Sequence, residues 1–429
     1  MNSTPSNLIA PGLSRRRVLA LPWAAWLGGS GLVHAQSSNM DTDTDTGRLV
    51  VVFLRGAADG LSIFVPHADP QYTQLRRETA IPAPNGTANT ALTLDSQFGL
   101  HPALAPLWPL WQQGQLSFIP TAGLTQVNRS HFEAQHQWET GQPDLRQAAP
   151  GWLNTWASQH RTDDTSPCAL GVGESNPEIL RGPAVVRLLS RGNSALNAGV
   201  LTGTRNQRAL LDMYGNDTAL GKTFAQGARS RLETAQTLKE AKAAMTADTP
   251  QAEGWALDAR HLGILMRQDP RLRVGFLSTD GWDTHANQGG VQGTLAQQLK
   301  QLGLALIELH QAFNRPNDVV VVVSEFGRTC AENGTRGTDH GYGNALWLMG
   351  PRIQGGRWHG QWEGLSPGQL HARRELPVFH DFRAVLSLIL RETQGASDEQ
   401  LAAVFPGNPF AGSDILSGPN RALAGLLRS

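Results

Sequence analysis

Cysteine is nearly missing from this chain: among 429 residues there are two, Cys168 and Cys330. Two cysteines cannot staple a disulfide scaffold or build a cysteine-rich metal cage. In a chain that folds in a reducing compartment the simpler expectation is two buried thiols, with a single late disulfide as the alternative. A charge excess is missing too. The 36 basic residues balance 36 acidic ones, which argues against nucleic acid as a partner, because a phosphate backbone calls for a basic surface. There is no dinucleotide-binding glycine fingerprint and no cysteine-ligated redox cluster. Long apolar runs are confined to the first residues, so nothing later approaches the roughly 20 apolar residues of a membrane span.

Those first residues read as an address. Ser14-Arg15-Arg16-Arg17-Val18-Leu19 precedes an apolar stretch from Leu21 to Val33, broken by Pro22 and several glycines, and Val33-His34-Ala35 then stands before Gln36. A charged region, a short apolar region and a small-residue cleavage site make a removable signal peptide. The paired arginines direct it to the twin-arginine translocase, with a periplasmic or secreted destination. The pattern predicts a leader over 1–35, a flexible linker over 36–47 (QSSNMDTDTDTG) and one α/β domain over 48–429. Removing the leader takes away three arginines and no acid, leaving 33 basic against 36 acidic residues in 394, enough chain for a sizeable core. Export of folded cargo favours a bound metal or cofactor.

The run Leu49 to Leu54 is continuously apolar and rich in valine, the pattern of a strand buried on both faces of a parallel sheet. It stops at Arg55-Gly56-Ala57-Ala58-Asp59-Gly60. Leu116 to Ile119, Val274 to Leu277 and Val319 to Val323 repeat this grammar, each running into a glycine-bearing polar turn. Helical patterns lie over 130–140, 252–268, 291–313 and 382–392, and a solvated helix over 231–247. Strands alternating with helices predict an α/β fold with a central, mostly parallel sheet flanked by helices. Residues 142–230 and 350–378, richer in Gly, Pro, Asn and Arg, read as loops, small strands and a cap over that sheet.

Ligands of such sheets sit beyond the carboxyl ends of the strands, and there the acids fall: Asp59 after the first strand, Asp280 and Asp283 after the third, Glu325 after the fourth. Any one of them alone is ordinary turn chemistry. Histidine sharpens the pattern, since Asp280-Gly-Trp-Asp283-Thr-His285 and Asp339-His340 put carboxylate and imidazole together, the ligands of a divalent ion such as zinc, manganese or calcium. Neighbours in extended backbone point to opposite sides, so Asp339 and His340 can serve different ions of a two-metal hydrolytic site. Ser130 in Asn128-Arg129-Ser130-His131-Phe132-Glu133 is either a nucleophile at a helix N-terminus, with Arg129 beside the same anion, or simply the S-x-x-E start of a helix.

Together the segments FLRGAADGL, NRSHFEAQHQWETG, STDGWDTHANQ, VVVVVSEFGRT, GTDHGYGN and HDFRAVL, behind a twin-arginine leader, resemble the exported family called domain of unknown function fifteen-oh-one. That family looks like a branch of the alkaline phosphatase and sulfatase superfamily. The resemblance implies a largely parallel sheet between helices, with one or two divalent ions at the strand ends. It matches Asp59 to the first-strand metal aspartate, Ser130 to the nucleophile, Asp280 or Asp283 with His285 to an Asp-and-His pair, and Asp339-His340 to an Asp-His-Gly element. It also implies a further histidine, which His359, His371 or His380 would supply. Where the superfamily's Asp-His-Gly usually follows a valine-rich strand, this chain has Ser324-Glu325-Phe326-Gly327, so Glu325 takes the aspartate's role or the later loop does, and Phe326 costs one metal a ligand.

The expectation is a metal-dependent hydrolase of phosphate or sulfate esters, with Arg129 or Arg328 countering the ester's charge; Arg55 and Arg328 can instead be ion-pair partners of nearby acids. The alternative is a non-catalytic exported protein that keeps the fold to bind or assemble with another envelope protein.

Overall fold

The main sheet grows from strands whose residues alternate between two cores. In the computed structural model, which describes residues 46–142, 149–214, 218–246, 250–408 and 414–428, β1 (Leu49–Leu54) is buried along its whole length. Leu49, Val51 and Phe53 face one apolar cluster, Val50, Val52 and Leu54 the other. This is why the run is continuously apolar: each face is covered, and each fully buried side chain contributes about 1.5–3 kcal/mol over leaving it in water. The leader and all but the last two residues of the linker lie outside the described residues.

Eight strands make the sheet. With β1 they are β2 (Leu116–Gly123), β3 (Ala169–Val172), β4 (Val186–Leu189), β5 (Val274–Thr279), β6 (Val319–Val323), β7 (Asn344–Met349) and β8 (His380–Asp381), in the order β8-β2-β7-β6-β1-β5-β3-β4. β1 pairs in parallel with β5 and β6, Leu49 opposite both Val274 and Val319, so three carboxyl ends lie side by side. β7 alone runs against its neighbours β2 and β6.

The helices packed around the sheet include α1 (His131–Thr140), α2 (Ala219–Ala243), α3 (Gly254–Gln268), α4 (Thr294–Ala312) and α5 (Phe382–Gln394). Residues of α5 such as Val385, Leu386 and Ile389 complete one core, and those of α3 and α4, such as Leu262, Leu299 and Leu306, complete the other. No helix among the described residues is long and apolar enough to cross a membrane.

The expected sheet class is observed, with several differences: the turn read at Pro120–Gly123 is the end of β2, and helices stand at Trp152–Ser158 and Thr204–Tyr214 in the region read as loops, small strands and cap. β3 and β4, in a region read as loops, small strands and cap, are members of the main sheet; each is four residues long and set among glycine, proline and polar turns, too short to show a period. β7 carries no β-branched residue, and its apolar run Ala345–Met349 is one that a buried helix segment would share, so the sequence does not single it out as a strand. The helix expected over 231–247 is the second half of the longer α2. Residues 350–378, read as loops, small strands and cap, hold isolated bridges and turns but no strand. Cys168 and Cys330 are buried free thiols.

Candidate metal centre

Three loops leave the adjacent ends of β1, β5 and β6, and α1 starts over them. Gly56, first in the loop after β1, has φ +115°, and a Cβ there would stand 2.7 Å from the Asp283 nitrogen, so only glycine lets the two loops pass this closely. The next residue, Ala57, is held in left-handed backbone at φ 58°, a strained conformation that its surroundings must over-determine. Arg328 does this: its buried guanidinium donates to the carbonyls of Ala57 and Gly56, both at 2.6 Å, and of Thr338 at 2.9 Å.

The same arginine reaches Asp283 Oδ1 at 2.5 Å, leaving Oδ2 toward His131. His131 Nε2 lies 3.4 Å from Oδ2, and His340 Nε2 lies 3.3 Å from Oδ1 and 3.0 Å from His131 Nε2. The ligand atoms of His131, Asp283 and His340 all fall within 4.8 Å of one another. Both rings are oriented from behind. His131 Nδ1 donates to Glu325 Oε1 at 2.8 Å, and His340 Nδ1 to the Arg129 carbonyl at 2.8 Å. With both Nδ1 protons committed, both Nε2 lone pairs converge beside a carboxylate, an arrangement that calls for a shared proton or a cation. Two imidazoles and one carboxylate, each imidazole with an acceptor on its far nitrogen, fit a divalent ion of the zinc or manganese kind better than calcium, which takes oxygen ligands.

Glu325 is fully buried yet well supplied: Gly56 N–H at 2.8 Å and Gln135 Nε2 at 2.9 Å also donate to its Oε1, and Ser324 Oγ to Oε2 at 3.1 Å. Burial pushes its carboxyl pKa up, but the hydrogen bonds from His131 and Gln135 outweigh this and hold it below the usual range. That bond in turn raises the His131 pKa, whereas burial lowers that of His340. Asp283 is held low by Arg328 against the opposing effect of burial. Phe326, in the position where a further histidine was sought, stacks its ring 4.9 Å from both His131 and His340 and forms a dry wall behind them.

The other residues singled out in the sequence take different places. Asp59 is sealed in an ion pair with Arg76, with Arg76 Nη2 at 2.8 Å from Oδ1, and Ser62 Oγ and Gln288 Nε2 each donate to Oδ2 at 2.7 Å. A carboxylate so matched has no lone pair turned to an ion in this structure. Asp280 is exposed and lies outside the three-residue cluster. His285 bridges Asp283 (Nε2, 3.1 Å) and Asp339 (Nδ1, 3.3 Å), which places it and Asp339 beside the cluster.

His359 is tied to the Gln354 carbonyl, His371 stacks on Tyr342, and His380 Nε2 accepts from the Gln361 N–H, so none of these three joins the cluster. Arg55 pairs with Glu139 at 2.6 Å and Arg328 with Asp283, the ion-pair alternative for both, and Arg129, expected beside the anion, pairs with buried Glu375 at 2.6 Å. Ser130 is the N-cap of α1: its Oγ accepts from Glu133 N–H at 3.5 Å, while its own N–H donates to Asn128 Oδ1 at 2.9 Å, so the reciprocal half of a capping box is taken by Asn128.

The candidate ligand that sequence reasoning missed is His131. It stood inside the quoted helix start, and its neighbour Ser130 drew the attention. The signal was available in retrospect: an imidazole at the first helical position, beside a candidate nucleophile, in a loop that follows a sheet strand.

Residues 46–404 match the family described as Protein of unknown function (DUF1501). No curated protein matches the chain. Solved structures that it resembles include Ps i-CgsB, alone (TM-score 0.38, 10% identity) and in complex with k-i-k-neocarrahexaose (TM-score 0.37, 9% identity), each over 88% of this chain and 76% of the other. The C-terminal periplasmic domain of EcEptC from Escherichia coli, a complex with Zn, is similar over 72% of this chain and 74% of its own (TM-score 0.30, 10% identity). Likeness this distant says nothing about the chemistry of the site.

Proposed function

The chain belongs to the DUF1501 family, whose function is unknown, and from its own geometry we propose a metal-dependent hydrolase of phosphate or sulfate esters. The observation that carries the reading is the convergence of His131, Asp283 and His340 from three separate segments, each imidazole oriented through its other nitrogen. A divalent ion bound there supplies a Lewis acid that neutralises ester oxygens and acidifies bound water. The chain's own residues do the rest. Asp283 presents Oδ2 while Arg328 fixes Oδ1; Glu325 and the Arg129 carbonyl fix both imidazole tautomers; Phe326 excludes water behind them. Ser130, at the α1 N-terminus directly before His131, is the nucleophile, with free helix N–H groups to steady the anion. His285 lies between two carboxylates at the rim.

The donor set supports one ion rather than two, because Asp59 is matched by Arg76 and Asp280 stands apart. That same feature favours the alternative, a non-catalytic exported binding or assembly partner. The arginine pair Arg15-Arg16 and the Ala35 cleavage site support export by the twin-arginine translocase to the periplasm or beyond.

Elemental analysis of the purified protein beside an Asp283→Ala/His340→Ala variant tests the reading. One equivalent of zinc or manganese, lost in the variant, together with turnover of aryl phosphate or aryl sulfate, supports the hydrolase. Metal without turnover of either ester points to the binding role, and no metal after reconstitution overturns the site.

A further inference from the structure

Arg187 of β4 is buried, its side chain 4% exposed, and its charge is thinly matched. Nη2 alone serves two acids, Asp269 at 3.3 Å and Glu233 at 3.4 Å, long for charge-assisted pairs, and Nε has no acceptor. Burial outweighs both acids and lowers the guanidinium's pKa. A buried arginine left short of acceptors costs free energy unless a further anion supplies them.

That side chain lines a cleft of about 460 Å³ between β4 and α2. Across it stand Lys222 and Arg229, two turns apart on α2, and Arg271 from the turn before β5, while Glu233 is the one acid among the described residues that line it. Arg271 is held by Asp269 at 2.8 Å, whereas neither Lys222 nor Arg229 forms an ion pair among the described residues. Beside these cations the helix turns only small and polar residues, Ala225, Gln226 and Ser230, toward the cleft. Arg271 and Pro167 precede β5 and β3, which puts the cleft toward the amino ends of the strands, away from the metal centre at their carboxyl ends.

We infer that this cleft is a second ligand site, which takes a small oxyanion carrying two or more phosphate or carboxylate groups. Two cationic walls explain the multiple charge. Arg187 and Arg271 meet one oxyanion group from the sheet side, and Lys222 and Arg229 meet the other from the helix.

The test is isothermal titration of the full chain with inorganic pyrophosphate and with citrate at low salt. The expected result is one equivalent of at least one of them bound, with affinity falling as salt rises. Lys222→Gln/Arg229→Gln should weaken binding about tenfold or more, the loss of one or two charge-assisted contacts. Arg187→Lys, which keeps the charge but loses the fork, should weaken it too; if that variant does not fold, the helix variant still decides. His131→Ala/His340→Ala should bind like wild type, so failure of the metal centre leaves this site standing. Absence of binding by both anions at millimolar concentration, or unchanged affinity in Lys222→Gln/Arg229→Gln, overturns the inference.

Discussion

Asp59 and Asp283 look alike in the sequence, each an acid in a glycine-bearing loop at the carboxyl end of a buried parallel strand. The structure sends them to opposite fates. Asp59 is 1% exposed and closed by a cation the chain supplies, Arg76, while the Asp283 side chain is 43% exposed and meets two imidazoles, His131 at Oδ2 and His340 at Oδ1. Both carry an arginine partner, so the presence of a cation is not what separates them. Arg76 takes both oxygens of Asp59, with Ser62 and Gln288 completing the shell, whereas Arg328 is pinned by backbone carbonyls and reaches only one oxygen of Asp283. An acid becomes a candidate ligand when the protein leaves one of its oxygens unspent.

The strongest way to break this comparison is to remove the sealed acid. Asp59→Ala leaves Arg76 fully buried with its charge unmatched, and the loss should be about 3–5 kcal/mol in urea unfolding. Gln288 ties Asp59 to Thr284 and Thr338, in the loops that carry His285 and Asp339. Metal content per folded molecule should nonetheless survive; if it disappears while the fold persists, Asp59 is a ligand after all.

Glu325→Gln sharpens the other side. It removes the charge behind His131 but keeps an oxygen for its Nδ1–H, and metal affinity should fall about 10- to 100-fold in a competition titration, the usual cost of altering a ligand's supporting partner. Unchanged affinity would leave Glu325 a purely structural acid.

The two acids also separate in their response to pH. Burial pushes Asp59's carboxyl up, and Arg76 with the Ser62 and Gln288 hydrogen bonds more than reverses it, so its folded pKa lies below 3.8. Its stabilisation is therefore complete above the unfolded value and is lost as pH falls through the folded one. The difference in unfolding free energy between wild type and Asp59→Asn should stay flat above about pH 5 and shrink below about pH 4. Asp283 has the same sign, but as a half-exposed group it should show a smaller, salt-sensitive change.

Much of this was legible from pattern alone. β1, β2, β5 and β6 were readable because burial on both faces writes an uninterrupted apolar run, and α1 and α5 because their caps and apolar spacing are local. What stayed hidden was set by distant partners. β3, β4 and β7 are strands only because a neighbour pairs with them. The loops with acid and imidazole pointed to the right region of the sheet, but which oxygens remain free depended on Arg76, 17 residues from Asp59, and on Arg328, 45 from Asp283. His131 meets Glu325 and His340 across 194 and 209 residues, and no spacing rule spans that distance.

The smallest expected effect settles the oldest ambiguity, whether Ser130 caps a helix or attacks an ester. Ser130→Ala removes the acceptor for Glu133 N–H and should cost about 1 kcal/mol in chemical denaturation. Ser130→Asn caps about as well and should restore most of that loss, but it carries no hydroxyl to attack phosphorus or sulfur. A nucleophile therefore predicts that Asn rescues stability and leaves turnover abolished, whereas a cap alone predicts that both recover together. His131 follows directly in the helix, so the two variants should also be compared for metal content. Equal content in both would assign any loss of turnover to the missing hydroxyl rather than to a displaced imidazole.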